Sequence, residues 1–131
     1  MNQGRVKNAT KVDKYGLHFR SKLECYTYEA FMKAGISVKY EPKHFELLPK
    51  FEYMGEKIRA ITYLPDFIGK GFVVECKGLI GDSFPLRYKL FKYYLKRHNS
   101  KMKCYLVRNH KQVDEMIQEL LNQKSCNSTI S

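Results

Sequence analysis

Asp66, Glu75 and Lys77 are the residues whose types and spacing point most directly to chemistry in this chain. They stand in the stretch TYLPDFIGKGFVVECKG, where the apolar run Phe72-Val73-Val74 carries straight on into charge. Charged groups at the end of a hydrophobic strand are costly to bury without partners, so their grouping calls for a reason. If the segments flanking Lys70-Gly71 pair antiparallel across a two-residue turn, Phe67 lies against Val74 and Asp66 against Glu75. Directly opposed side chains have Cβ atoms about 4.5–5.5 Å apart. Two carboxylates that close either share a proton or hold a cation between them. Donors made only of hard oxygens select Mg²⁺, with Mn²⁺ as a substitute, over zinc. Lys77 follows Glu75 by two and shares its face of the strand. Its ammonium can therefore hold an attacking water or offset negative charge that develops during a reaction. A slip of one residue would turn the two carboxylates apart. A strand-end salt bridge is the alternative reading of the same three side chains.

The elements that must position these groups can be read from periodicity. At 131 residues the chain is long enough for one domain with a core of its own. SKLECYTYEAFMKAG predicts a helix from about Ser21 that ends with Gly35 in the C′ position. ISVKYEP alternates, with Ile36, Val38 and Tyr40 on one face, and Pro42 closes that strand. HFELLPKFEYMGEKIRAITYLPDF predicts two further strands around a loop carrying Pro49 and Gly55, and GFVVECKG is the next strand. DSFPLRYKLFKYYLKRH predicts a helix capped by Asp82 or Ser83, with Pro85 in its first turn. Its inner face is Leu86, Leu90, Phe91, Tyr94 and Leu95. KCYLVR reads as a short buried strand and KQVDEMIQELLNQK as a closing amphipathic helix. The expected class is α/β, with a basic N-terminal arm over residues 1–20, a single domain over 21–124 and a flexible tail over 125–131. Most aromatic residues fall at core periodicities; Tyr15, Phe19 and Tyr88 are left open between core and surface.

Charge narrows the partners. The chain has 24 Lys+Arg against 13 Asp+Glu, a formal net charge of +11. Such an excess favours polyanions, because each neutralised phosphate releases counterions. From Pro85 to Lys111 every charged side chain is basic, and Lys89, Lys92, Lys96 and Arg97 are candidates to lie along a phosphate backbone. Lys11, Lys14, Arg20 and Lys22 form a second basic group before and at the start of the first helix, of which Lys14, Arg20 and Lys22 are candidates to touch DNA. Contacts to phosphate position a protein without reading bases, so shape rather than sequence is the expected basis of recognition. The four cysteines show no CxxC spacing and the four histidines are dispersed, which argues against zinc. Nothing indicates an organic cofactor. No apolar run is long enough to span a membrane, and MNQGRVKNATK lacks the apolar core of a signal peptide, so a cytoplasmic protein is expected.

Pro65-Asp66, eight further residues, then Glu75-Cys76-Lys77 resembles the motif of the PD-(D/E)xK nucleases. The wider order SKLE, YEP, YLPDF and VVECKG is similar to that of Holliday junction resolvases of the phage endonuclease I type, and of related small phage and prophage proteins. The resemblance spans roughly residues 15–108. It implies a restriction-endonuclease-like core, a central mixed β-sheet flanked by helices. It also implies that Asp66, Glu75 and the backbone carbonyl of Cys76 ligate Mg²⁺, that Glu24 completes the acidic set, and that Lys77 positions the water. Glu24 has a second reading: Ser21-x-x-Glu24 is a capping box, in which the Glu side chain turns back to the start of its own helix. The implied activity is hydrolysis of phosphodiester bonds in branched DNA, such as a four-way junction, by a homodimer in the bacterial cytoplasm of a phage host. The segment EPKHFELLPKFEYMGEK is either a bridge between subunits or a local hairpin. Two alternatives stand beside this one. The chain could bind nucleic acid without catalysis on a nuclease-like fold, or be a nuclease of the same kind with another DNA substrate.

Overall fold

The computed structural model describes residues 10–78 and 83–130, with side chains as far as 123. The first residues of the expected arm therefore lie outside the described residues. Its second half is not a loose lead-in but a β-hairpin, β1 (Val12–Lys14) against β2 (Leu17–Phe19). Tyr15 and Gly16 both take positive φ, 59° and 74°, as a two-residue turn of the I′ kind demands. Phe19 at the end of β2 is 1% exposed, and its ring lies 5.4 Å from Tyr28 and 4.9 Å from Tyr40. Burying an aromatic side chain of this size contributes about 1.5–3 kcal/mol, which ties the hairpin to the core.

Helix α1 (Lys22–Ala34) has the expected ends. The Ser21 hydroxyl accepts the Glu24 N–H at 3.1 Å, and Gly35, at φ 71°, donates its N–H to the last turn. Next come β3 (Val38–Tyr40), then β8 (Phe67–Gly69) and β9 (Phe72–Cys76), and after helix α2 (Phe84–Arg97) the strand β10 (Lys103–Val107). These strands form one mixed sheet in the order β10-β9-β8-β3, parallel only between β9 and β10. The parallel pair needs a crossover, and α2 provides it. Lys70 and Gly71 close the β8–β9 turn, and the register sets Phe67 against Val74, as expected. Gly69 leaves room for the Phe72 ring: a Cβ there would sit 2.2 Å from it, so the ring would have to shift.

Two apolar clusters sandwich the sheet. On one face Phe31, Phe67, Phe72, Val74 and Cys76 pack with Val113, Met116 and Ile117 of α3 (His110–Ile130). The backbone of α3 stays helical through Ile130, beyond the expected boundary at Lys124. On the other face Val73 meets Phe84, Tyr88, Phe91 and Leu95 of α2, so Phe84 and Tyr88 join the inner face while Leu86 is exposed. Asp82, one of the two expected caps of α2, lies outside the described residues, and the Ser83 side chain makes no capping hydrogen bond. β10 is an edge strand with Leu106 exposed rather than a fully buried one.

The segment before β8 folds into four strands rather than two. β4 (Phe45–Leu48) pairs with β7 (Ile61–Tyr63), and β5 (Phe51–Tyr53) pairs with β6 (Glu56–Ile58). A bulge between Glu46 and Leu48, followed by Pro49, interrupts what would otherwise be one long hairpin. Its inner end packs on α2 through Phe45 and Tyr63, while its tip exposes Phe51, Tyr53 and Met54. No helix among the described residues is long and apolar enough to cross a membrane.

Candidate metal centre

The expected acidic residues meet in one cleft of about 500 Å³, at the end of the sheet where β3 and β9 finish and β8 begins. Asp66 directly precedes β8 and Glu75 lies near the end of β9. Continuing the β8–β9 register by one step places them opposite each other. Glu24 reaches the cleft from the first turn of α1. A fourth carboxylate, Glu41, joins them from the residue after β3. One oxygen from each of Glu24, Glu41 and Asp66 falls within 4.8 Å of the others, a spacing that could hold a metal ion. Glu75 stands outside that group of three but borders the same cleft.

Each carboxylate is fixed by one oxygen. Asp66 Oδ2 accepts the Cys76 N–H at 2.7 Å, so the start of β8 is tied to the end of β9. Glu75 Oε1 accepts the Tyr63 O–H. Glu24 Oε1 accepts the Tyr40 O–H at 2.5 Å and the Arg20 N–H at 3.0 Å. Only half of the capping box forms: the Ser21 hydroxyl accepts the Glu24 N–H, while the Glu24 carboxylate passes the Ser21 amide and accepts the N–H of Arg20. Glu41 Oε2 meets Arg20 Nε at 2.8 Å. Among the described residues the second oxygens of Asp66 and Glu24 have no hydrogen bond, and the protein holds each of these carboxylates through the other oxygen.

Glu41 carries backbone strain, with φ at 46°, a conformation rare outside glycine. Its N–H donates to the Asp66 carbonyl at 2.8 Å, so the strained residue also joins β3 to the residue that opens β8. Strain held this way clusters at functional sites. Sequence reasoning missed Glu41 as a ligand although the YEP segment was in view, because alternation ends at Tyr40 and gives no direction to the next side chain.

Burial raises the pKa of all three sequence-derived acids. Desolvation, then the charges of Glu75 and Glu24, pushes Asp66 up to about 9. Desolvation raises Glu75 to about 7, against the Tyr63 hydrogen bond and the charge of Lys77, which both lower it. Glu24 is raised by burial, opposed by its bonds from Tyr40 and Arg20. Ordinary carboxylates would ionise near 4, so the charges of Lys77 and Arg20 do not offset the cost of burial here. Every side-chain donor of this set is a carboxylate oxygen, the kind of ligand that hard cations take.

The remaining candidates are spread around the cleft. Lys77 lines it next to Glu75, with its ammonium 5.1 Å from the Phe84 ring and its N–H bonded to the Val107 carbonyl at 2.9 Å. Cys76 also borders it, its thiol turned to Thr27 in the core. Arg20 is at the cleft, paired with Glu41, and Lys22 is exposed on the first turn of α1. Lys14 is committed instead to Glu29 at 3.1 Å. Lys89, Lys92, Lys96 and Arg97 are exposed along α2 and do not line the cleft. Lys92 lies over the Tyr88 ring at 4.6 Å. Phe19 and Tyr88 are core residues, whereas Tyr15 is exposed and bonds Glu29.

An α/β domain with a mixed sheet, helices on its flanks and an acidic cleft at the strand ends is the class that fold and site define. Residues 5–113 match the family described as "Protein of unknown function (DUF1064)", and the chain belongs to that family. No curated protein and no solved structure matches it.

Proposed function

We propose that this chain is a Mg²⁺-dependent endodeoxyribonuclease of the PD-(D/E)xK kind that cuts branched DNA as a homodimer. The meeting of Glu24, Glu41 and Asp66 oxygens within 4.8 Å, in one cleft with Glu75 and Lys77, is the observation that carries this reading. The succession of α1, the β3, β8 and β9 meander, α2 and a β10 parallel to β9 supports a restriction-endonuclease-like core. A bound divalent ion supplies Lewis acidity toward a phosphate oxygen and lowers the pKa of water.

The residues divide the remaining work. Asp66, Glu24 and Glu41 would hold the ion, with the Cys76 carbonyl as a neighbouring donor. Glu75, oriented by Tyr63, accepts a hydrogen bond from the attacking water or holds a second ion. The Lys77 ammonium steadies that water and offsets the charge growing on the phosphate oxygens. The water oxygen bonds to phosphorus and gives up a proton to a cleft carboxylate or to solvent, the phosphorus–oxygen bond to the departing strand breaks, and the departing oxygen takes up a proton from solvent. The exposed row Lys89, Lys92, Lys96 and Arg97 lies along the phosphate backbone and carries no sequence preference. Lys22 and Arg20 extend that contact towards the cleft. A four-way junction has two-fold character, which suits two copies of the site. The tip of the β4–β7 arm, with Met54 87% exposed, offers an apolar surface for the second subunit.

The deciding experiment compares a labelled four-way junction with a matched linear duplex, in Mg²⁺ and in EDTA. Cuts at the junction that vanish in EDTA and in Glu75→Gln are the expected result. Tight binding without cutting in Mg²⁺ or Mn²⁺ would leave a non-catalytic DNA-binding protein. Equal cutting of both substrates would leave a nuclease with another target.

A further inference from the structure

We propose that Arg87, together with Lys77, is the group that grips the phosphate in this cleft, so that the ligand unit of the site is a metal-associated phosphate monoester or diester of a nucleotide. The inference deepens the nuclease reading and rests on it for the identity of the polymer. Arg87 stands in the first turn of α2 and lines the same cleft as the four carboxylates and Lys77. Its Nε is buried and has no hydrogen-bond partner among the described residues. A buried donor without an acceptor is uncommon in a folded protein, and each instance calls for an explanation.

The neighbourhood makes this orphan informative. Carboxylates are the natural partners of a guanidinium, and four of them border the cleft, yet none pairs with Arg87. Glu41 has taken Arg20, Glu75 has taken Tyr63, and Glu24 has taken Tyr40. The acids are thereby reserved for a cation, and the guanidinium is left for an anion. Lys77 is likewise free of any ion pair among the described residues. Helix α2 adds to the effect: its first turn holds no acidic residue, and Ser83 and Phe84 at its start also line the cleft. The positive end of a helix favours an anion. A cleft with acids on one part of its wall and a guanidinium, an ammonium and a helix start on another suits a ligand with two demands. It must bring negative oxygens to Arg87 and present oxygens to a divalent ion. Phosphate does both, and its tetrahedral oxygens suit the planar fork of arginine.

The test uses the full chain with Mn²⁺ and thymidine 5′-phosphate, reading ³¹P line broadening and calorimetric titration. Arg87→Ala should leave Mn²⁺ binding and the circular dichroism spectrum unchanged while weakening nucleotide binding at least about tenfold, the scale of one charge-assisted contact. Arg87→Lys should recover part of that loss, since it restores the charge but not the fork. On a cut substrate, Arg87→Ala should slow single-turnover cleavage by about 10²–10³-fold, the scale of losing one donor to developing charge. Equal nucleotide binding by wild type and Arg87→Ala, or no nucleotide binding by wild type, would overturn the inference. Arg87-dependent nucleotide binding without cleavage of any DNA would remove the nuclease reading and leave this one standing. Undiminished cleavage by Arg87→Ala would do the reverse.

Discussion

Tyr63, at the end of β7, donates its phenolic O–H to Glu75, on the central strand β9. The bond joins the β4–β7 arm to the sheet and holds the Glu75 carboxylate in the cleft. Tyr63 is itself buried, packed at 4.6 Å from the Phe91 ring, so the phenol is held by α2 as well. Glu75 is thus aimed by a residue twelve positions earlier in the chain.

Replacing this phenol should change the acidity of Glu75 more than the fold. The hydrogen bond from Tyr63 lowers the Glu75 pKa from where burial alone would put it. Tyr63→Phe keeps the ring and removes the donor, so Glu75 should hold its proton to higher pH. The rising limb of a pH–rate profile, or of metal affinity against pH, should then move to more alkaline values. Unchanged profiles in Tyr63→Phe would show that the bond does not tune the site.

Stability of the metal-free protein should fall as pH rises. Asp66 and Glu75 have folded-state pKa values of about 9 and about 7, above their ordinary values of 3.8 and 4.5. The folded state therefore binds more protons than the unfolded chain between those limits. The contribution of these protons is full below about pH 4 and is lost as pH rises through about 7 and about 9. A divalent ion replaces the protons, so binding releases them and strengthens with pH. In EDTA the melting temperature should drop between pH 6 and pH 9, and the increase caused by Mg²⁺ should be larger at pH 9. An increase of equal size at both pH values would show that the carboxylates are not where the ion binds.

Glu41 and Glu75 should separate in a metal titration. Glu41 belongs to the group of three oxygens within 4.8 Å and Glu75 does not. Glu41→Gln should weaken binding of the first Mn²⁺ at least about tenfold, whereas Glu75→Gln should weaken it less while still accepting from Tyr63. Asp66→Asn retains an oxygen for the Cys76 N–H, so it should fold, lose the Mg²⁺-induced rise in melting temperature, and be less sensitive to pH in EDTA. A first-ion affinity more sensitive to Glu75 than to Glu41 would move the ion to the β8–β9 pair.

Gly69→Ala tests the packing that fixes the register. The added methyl would meet the Phe72 ring at 2.2 Å, and that ring is buried against Phe31 at 5.7 Å. Overpacking of this sort costs about 1–3 kcal/mol. Urea unfolding should show that loss. Metal binding measured well below the unfolding midpoint should remain, since the cleft lies at the other end of β8.

Local geometry follows from contacts between residues that are near one another in the chain. Ser21 and Gly35 bound α1, because a hydroxyl that accepts an amide and a residue that tolerates positive φ act within one turn of chain. Lys70-Gly71 set the β8–β9 register, and with it the meeting of Asp66 and Glu75, because a two-residue turn leaves only one pairing. Charge and alternation gave the α/β class and the exposed basic face of α2. Tertiary structure decided the rest. It brought Glu41 into the acidic group, gave each carboxylate its anchoring partner, drew β2 into the core, split the 45–63 segment into four strands and left Arg87 Nε without an acceptor among the described residues. Those outcomes depend on side chains that are distant in sequence, such as Glu24 with Tyr40 and Tyr63 with Glu75. Periodicity reports which face of an element is apolar, but it carries no information about which polar group from another element will stand opposite.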